Sequence, residues 1–400
     1  MGSGAVHHGV VKGRMAFRLR VMAAATTGLM LAACAPSSPA PSGATTSSGS
    51  KALDLATIPI FVDDTPMAGD GGLRIGFADG RTTRQLVLKA ADRRWYADSR
   101  MTGGRMAYSV SDPGLTEIHV VTAATGKVST LEVKGHPAIT ADLTLAPDGR
   151  SVFYVGRERI VPDLPGNPDI GAATGVWRVD LGGDGVPERV LPPATPTSLD
   201  PFWTDGHLAS GLFLTSDGAT LVAADWVGGI SPARIRVVDL GTGAVVDRSA
   251  KAMMLPLGVS GRDLVGLAAA EGPDRVLALD LNSGPARQIF RGDLLFFALQ
   301  RTSPIAAYIN NGLRAQGKTE LHVVDLRSGV QAIAYRSQTR AYTPGLPGRI
   351  EAPPDWIFLT PEASCLPPSD NVGALLNWRT GEIVRLGMEE SPPGLCNGQG

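Results

Sequence analysis

Short apolar runs recur along this chain. Each is closed by an Asp or a similar residue and, a few positions later, by a Gly. One copy is Val237-Val238-Asp239-Leu240-Gly241-Thr242-Gly243, another Leu277-Ala278-Leu279-Asp280-Leu281-Asn282-Ser283-Gly284, and a third Val323-Val324-Asp325-Leu326-Arg327-Ser328-Gly329. Weaker copies are Trp177-Arg178-Val179-Asp180-Leu181, Val120-Val121-Thr122 before Gly126, and Leu375-Leu376-Asn377-Trp378-Arg379-Thr380-Gly381. Two copies share their flanks, Thr116-Glu117-Ile118-His119-Val120-Val121 and Thr319-Glu320-Leu321-His322-Val323-Val324. Units of strands and turns repeating every ~40–60 residues are the mark of a propeller.

Within one unit the pattern predicts four strands. Gly211 to Leu214 is an inner strand, Ser216-Asp217-Gly218 a tight turn, and Thr220 to Ala224 a second strand. Ile235 to Asp239 is the third and Ala244 to Asp247 the outer fourth. Another unit runs through Leu143 to Ala146, Pro147-Asp148-Gly149, Ser151 to Val155 and Val176 to Asp180. Leu257 to Val259 with Leu264 to Ala268, and Leu295 to Leu299 with Ile305 to Ile309, begin two more; Trp356 to Leu359 opens the last. The third strands are apolar on both faces, as in Ile118, Val120 and Val121 or Leu321, Val323 and Val324. A sheet covered on one side would alternate, so both faces are buried. Blades packed face to face around an axis meet that demand, and the missing amphipathic helices exclude a parallel α/β fold.

Six full blades are expected at 92–135, 136–194, 195–251, 252–292, 293–346 and 347–396, and residues 52–91 hold most of another. The expected fold is all-β, a seven-bladed β-propeller of four-stranded antiparallel blades, with six or eight blades as the alternatives. The Val-x-Asp-x-x-[Ser/Thr]-Gly turns and the Pro147-Asp148-Gly149 and Ser216-Asp217-Gly218 turns resemble those of YVTN and TolB-like propellers. The resemblance covers residues 52–396 and rests on turn motifs of low specificity. The Gly-His and Trp-Asp pairing of WD repeats is missing. So are the repeat-closing Trp of quinoprotein propellers and the aromatic of the sialidase Asp-box.

Composition changes this picture little. The 49 Gly and 30 Pro suit many tight turns, and 37 basic against 38 acidic residues argue against a nucleic-acid partner. The N-terminus says more. Lys12, Arg14, Arg18 and Arg20 precede an apolar stretch from Val21 to Ala33. It is too short for a membrane span of ~20 residues and has the anatomy of a signal peptide. Residues 1–33 are therefore read as a signal, with 1–14 an upstream extension and Met15 a plausible start. The stretch ends in Leu31-Ala32-Ala33-Cys34, which resembles a bacterial lipobox. That resemblance implies diacylglyceryl attachment to Cys34 and cleavage just before it; the other reading is a plain secretory signal. Two acyl chains on one Cys hold a protein on a membrane. Residues 34–51 are then the lipidated Cys and a flexible Ala/Pro/Ser/Thr linker, and 397–400 a tail. The expected location is the outer face of the cytoplasmic membrane. Cys365 and Cys396 remain, and an even pair in an exported protein suggests a disulfide, with two free thiols as the alternative.

Candidate chemistry gathers on loops. In a four-stranded blade, the loops joining strands two and three share an end with the interblade loops. The insertion from Arg157 to Thr174 carries Arg157, Glu158, Arg159, Asp163, Asn167 and Asp169. The interblade loop from Pro192 to His207 carries Asp200, Trp203, Asp205 and His207, and Asp225-Trp226 follow a second strand. Long loops on a rigid scaffold concentrate binding residues. Carboxylates beside Trp faces suit a sugar or a cation, and oxygen clusters suit calcium. His119 and His322 hold matching positions filled elsewhere by Arg236, Trp177 and Leu277, which reads as strand packing. No zinc spacing, Gly-x-Ser-x-Gly or Walker sequence is present. The expected function is a membrane-anchored module that binds a protein, peptide or glycan. The alternative is a propeller enzyme of lactonase, lyase or glycan-hydrolase type using acidic residues of that face.

Overall fold

The computed structural model describes residues 53–63, 71–88, 94–97, 101–112, 115–135, 143–159, 170–193, 211–225, 234–249, 254–268, 275–292, 294–300, 303–310, 312–313, 316–337, 342–344, 350–361 and 372–389. They form seven antiparallel sheets whose strands follow chain order. Blade one holds three described strands, β1 (Pro59–Asp63), β2 (Gly71–Phe77) and β3 (Thr82–Leu88). The other six sheets have four strands each. The expected seven-bladed propeller is the fold.

The second and third strands feed two cores, because successive side chains point to opposite faces. In the second strand of blade six (Ile305–Asn310), Ile305 and Ala307 join Ile357, Leu359 and Leu376 of blade seven. Their neighbours Ala306 and Tyr308 join Val265, Val276 and Phe290 of blade five. The third strand of blade four (Arg234–Asp239) divides likewise, Val237 toward blade five and Val238 toward blade three. Further clusters join blades three and two around Tyr154 and Ile118, and blades two and one around Met106 and Ile75. The last joins Trp356, Phe358 and Leu375 of blade seven to Ile58 and Ile60 at the start of blade one. The chain of contacts therefore returns to its origin, and the ring is closed by apolar packing.

The recurring Asp is the lock of the turn after the third strand. Asp239 Oδ1 accepts from Gly241 N (3.0 Å) and Thr242 N (2.8 Å), and Asp325 Oδ1 from Arg327 N (2.8 Å) and Ser328 N (3.0 Å). Asn377 does the same with Arg379 N (3.0 Å) and Thr380 N (3.1 Å). The Gly that follows takes positive φ, +72° at both Gly243 and Gly329. At Gly329 a side chain is excluded twice, since a Cβ would also lie 2.7 Å from Ile289 O on the outer strand of blade five. The motif thus specifies both the turn and the seating of one blade on the next.

Two boundaries differ from the expectation. The last blade begins with Tyr342–Pro344, and Trp356–Pro361 is its second strand. A three-residue strand containing Pro gives too short a pattern to read. In blade three, both described ends of the segment Arg157 to Thr174 are strand, not loop. The second strand runs Ser151–Arg159 and the third Ile170–Asp180, with Ala173 opposite Arg157 and Ile170 opposite Arg159. Register shifts there break the alternation that would have revealed it.

The Asp325 carboxyl is held below its ordinary range, first by the backbone N–H of Ser328 and then by Arg327 and Ser328. Its stabilising effect is therefore present above the unfolded carboxylate pKa of 3.8 and lost as pH falls through the lower native value. Asp325→Asn should melt close to wild type at pH 7, because the amide oxygen of Asn377 already does this work in blade seven. Thermal melts between pH 7 and pH 3 should show a shallower acid decline for the variant. An unchanged decline would mean that the carboxylate does not act through this turn.

Candidate functional site

Connections in an up-and-down sheet alternate between its two ends. The turns from first to second strands and from third to fourth strands lie at one end. The second-to-third and interblade loops lie at the other. One cavity, of about 450 Å³, opens at the first of these ends, around the axis. Six blades line it: Thr102 from blade two, Thr144 and Leu145 from three, Phe213 to Ser216 from four, Leu257 to Val259 and Gly261 from five, Leu299 and Gln300 from six, and Ile350 to Pro354 from seven. Its walls are mostly apolar. Its polar groups are the hydroxyls of Thr102, Thr144, Thr215 and Ser216, the Gln300 amide and the Glu351 carboxylate. Glu351 is the one charged side chain among the described lining residues.

The connection from Pro344 to Trp356 builds one side of this mouth. It is longer than its counterparts and crosses from blade seven over blade one to blade two. Ile350 forms an antiparallel bridge with Ile60 of β1. Glu351 Oε2 accepts from Gly104 N of blade two at 2.7 Å. Behind it, Gln300 Nε2 donates to Trp356 O (2.5 Å) and Pro353 O (3.1 Å), and Ser303 Oγ to Pro354 O (3.1 Å). Trp378 Nε1 donates to Pro354 O at 3.3 Å, and Arg379 is ion-paired with Asp355 at 2.7 Å. The strap holds a carboxylate at the mouth while tying blades six, seven, one and two together. One oxygen of Glu351 is spent on the Gly104 amide. No described residue donates to the other.

The described ones among the residues expected from sequence lie toward the opposite end. Arg157, Glu158 and Arg159 continue the second strand of blade three, and Asp225 ends the second strand of blade four (Thr220–Asp225). Asp163, Asp169, Asp200, Trp203, Asp205, His207 and Trp226 lie outside the described residues, as do Cys34, Cys365 and Cys396. None of the described ones lines the cavity. Among the described residues no group of three His, Cys, Asp or Glu could hold a metal ion, and the oxygens considered for calcium fall outside them. The lining residues were not singled out from sequence because they sit on short turns and strand ends that read as scaffold.

His119 and His322 lie on third strands, away from the axis. Each stacks on the Tyr opposite it, His119 on Tyr108 at 4.8 Å between centroids and His322 on Tyr308 at 4.9 Å. His119 Nε2 is 3.1 Å from Glu117 Oε2, and His322 Nε2 is 2.8 Å from Glu320 Oε1. Burial, with Arg84 opposing and Glu117 adding, pushes the Tyr108 hydroxyl up to about 12, so it stays protonated. These are packing clusters in which the polar ring edges find partners.

No family model matches this chain, and no curated protein matches it. Solved structures do. A puromycin-hydrolyzing peptidase of Mycobacterium tuberculosis superposes with a TM-score of 0.50 at 16% identity, over 84% of this chain and 55% of that one. Prolyl oligopeptidase B from Galerina marginata gives 0.52 at 13% identity, over 83% of this chain and 51% of that one. TolB from Acinetobacter baumannii gives 0.40 at 16% identity, over 74% of this chain and 66% of that one. The chain spans about half the length of the peptidases it matches. At these identities the likeness is one of fold.

Glu351→Ala removes the acceptor for Gly104 N–H and should cost about 1–2 kcal/mol in urea denaturation. Glu351→Gln keeps an acceptor oxygen and should cost less. Equal stability of Ala variant and wild type would show that this hydrogen bond does not help hold the ring.

Proposed function

We propose that this protein is a membrane-tethered lipoprotein of the extracytoplasmic face whose propeller binds a protein, peptide or glycan partner at an end of its ring. One observation carries the reading: six blades converge on a single cavity that combines apolar walls, hydroxyls and one carboxylate. Such a surface offers shape, desolvated apolar area and a few orienting hydrogen bonds, which is how pockets hold ligands. The described lining contains no His or Cys and a single carboxylate. It therefore offers no pair of groups for general acid and base catalysis. In this proposal Asp200, Trp203, Asp205 and Trp226 would form a second contact face. Its Trp residues would supply the aromatic anchors on which contact energy concentrates.

Cys34 would hold the protein at the membrane, and the linker would let the ring reach a partner. Cys34→Ala should shift the protein from the membrane fraction to the medium or leave an uncleaved precursor. Unchanged detergent partitioning would overturn the anchor. A photo-crosslinking residue at Ser216 reports on the cavity mouth, and one at Asp205 on the other end. Adducts formed in cells at Ser216 or Asp205, and lost when the same face carries Thr215→Trp or Trp203→Ala, support a binding face. Adducts at neither position would overturn the binding reading.

A further inference from the structure

Glu351 differs from the other carboxylates at its end of the ring. Asp217 accepts from Thr215 Oγ1 (2.6 Å) and Ala219 N (3.0 Å). Asp263 and Asp355 are ion-paired with Arg287 and Arg379, each at 2.7 Å. Glu351 has the Gly104 amide alone, at 2.7 Å on Oε2. That amide belongs to a tight turn, closed by Thr102 N to Arg105 O (2.8 Å) and Arg105 N to Thr102 O (3.0 Å). One oxygen is thus held in place, and no described Lys, Arg or His pairs with the half-buried carboxylate. A charge partly withdrawn from water and without a counter-ion attracts a cation and repels an anion. The rest of the cavity describes the body that would carry that cation. In the order of blades around the ring, blades four and five stand across the axis from the strap. There Leu214, Leu257 and Val259 are half-buried and face the cavity. On blade three, Thr144 is 4% exposed and lines the same space, and no described residue bonds to its hydroxyl.

We propose that this cavity takes a lysine side chain of a protein partner, its ammonium on Glu351 and its aliphatic stem along the apolar wall. The inference rests on the binding function proposed above and names the group that enters. A lysine combines the two demands of the site. Its stem buries against apolar surface while its head keeps a charged partner. Arginine matches less well. A guanidinium grips a carboxylate through two parallel hydrogen bonds, and the Gly104 amide already occupies one oxygen of Glu351. An ammonium is a compact charge with rotatable donors, so the remaining oxygen serves it and other donors are left for hydroxyls of the lining or for water. The described lining holds no second charge to compete with that pairing. Its volume, about 450 Å³, lies in the range that holds small ligands and leaves room for a side chain with its flanking backbone.

Calorimetric titration with short peptides tests this. The peptides are acetyl-Gly-Ala-Xaa-Ala-Gly-amide, with lysine, arginine, norleucine or acetyl-lysine at the centre; the blocked ends keep the amino terminus from supplying the cation. The lysine peptide should bind at least about tenfold more tightly than the norleucine and acetyl-lysine peptides, the worth of one charge-assisted hydrogen bond, and more tightly than the arginine peptide. Glu351→Gln keeps an acceptor for Gly104 N–H and should bring the lysine peptide down to the norleucine level. The peptide series on the wild-type chain decides the matter even where that variant does not fold. Equal affinity of the lysine and norleucine peptides would overturn the inference and leave the binding function standing, because a peptide would then enter without its charge being read. An unchanged preference for lysine in Glu351→Gln would overturn it, as would binding of none of the peptides; the crosslinks at Ser216 judge the binding function separately. A norleucine peptide with a free amino terminus that binds more tightly than the lysine peptide would overturn it in favour of a terminal ammonium.

Discussion

Every sheet in this protein must be covered on both faces. The strands carry buried side chains toward two neighbours at once, as Ala306 and Ala307 do in blade six. A four-stranded sheet is too thin to make a core with itself, so its stability lies in the interfaces. A linear stack of such sheets would leave two apolar faces in water. A ring leaves none, and the seven clusters, each between successive blades, are that solution. Cores of this kind tolerate little change in volume, since each side chain is packed between two sheets.

Closing the ring is then the demanding step. Blades in the middle of the chain are joined to their neighbours by short links, but blades one and seven are far apart in sequence. Two features of the described residues bring them together. Ile58 and Ile60 pack against Trp356, Phe358 and Leu375. The strap from Ile350 to Asp355 adds polar contacts that reach Gly104 of blade two. Burial supplies most of the attraction, while the hydrogen bonds fix register, since a net hydrogen bond is worth only about 1 kcal/mol. The same strap places the one described charge at the cavity mouth. Ring closure and the character of the site thus depend on the same few residues.

The cavity follows from the ring geometry. Inner strands converge on the axis, and their following turns project small and hydroxylated residues into it. Its chemistry comes from many blades, each giving one or two groups, so no local motif announces it. The stacked His–Tyr pairs illustrate the converse. They recur at matching repeat positions and look chemical in sequence, yet they sit on the flanks of the blades where packing sets their role.

The sequence by itself determined the architecture. Strands apolar on both faces demand sheets on either side, and the Asp-x-x-[Ser/Thr]-Gly turns specify how each third strand bends into the fourth. These are local signals, legible because turn geometry and strand alternation depend on neighbours in the chain. The start of the last blade at Tyr342–Pro344 was not legible, because three residues carry no period. Nor was the strand character of Arg157 to Arg159, because register shifts disturb the alternation. The tertiary structure decided which end of the ring holds the described cavity and that Glu351, Gln300 and Thr102 meet there. It also decided that a strap from blade seven crosses blade one. The physical reason is distance along the chain. Thr102 and Glu351 approach each other only when the last blade is packed against the first, and no pattern of neighbouring residues encodes that.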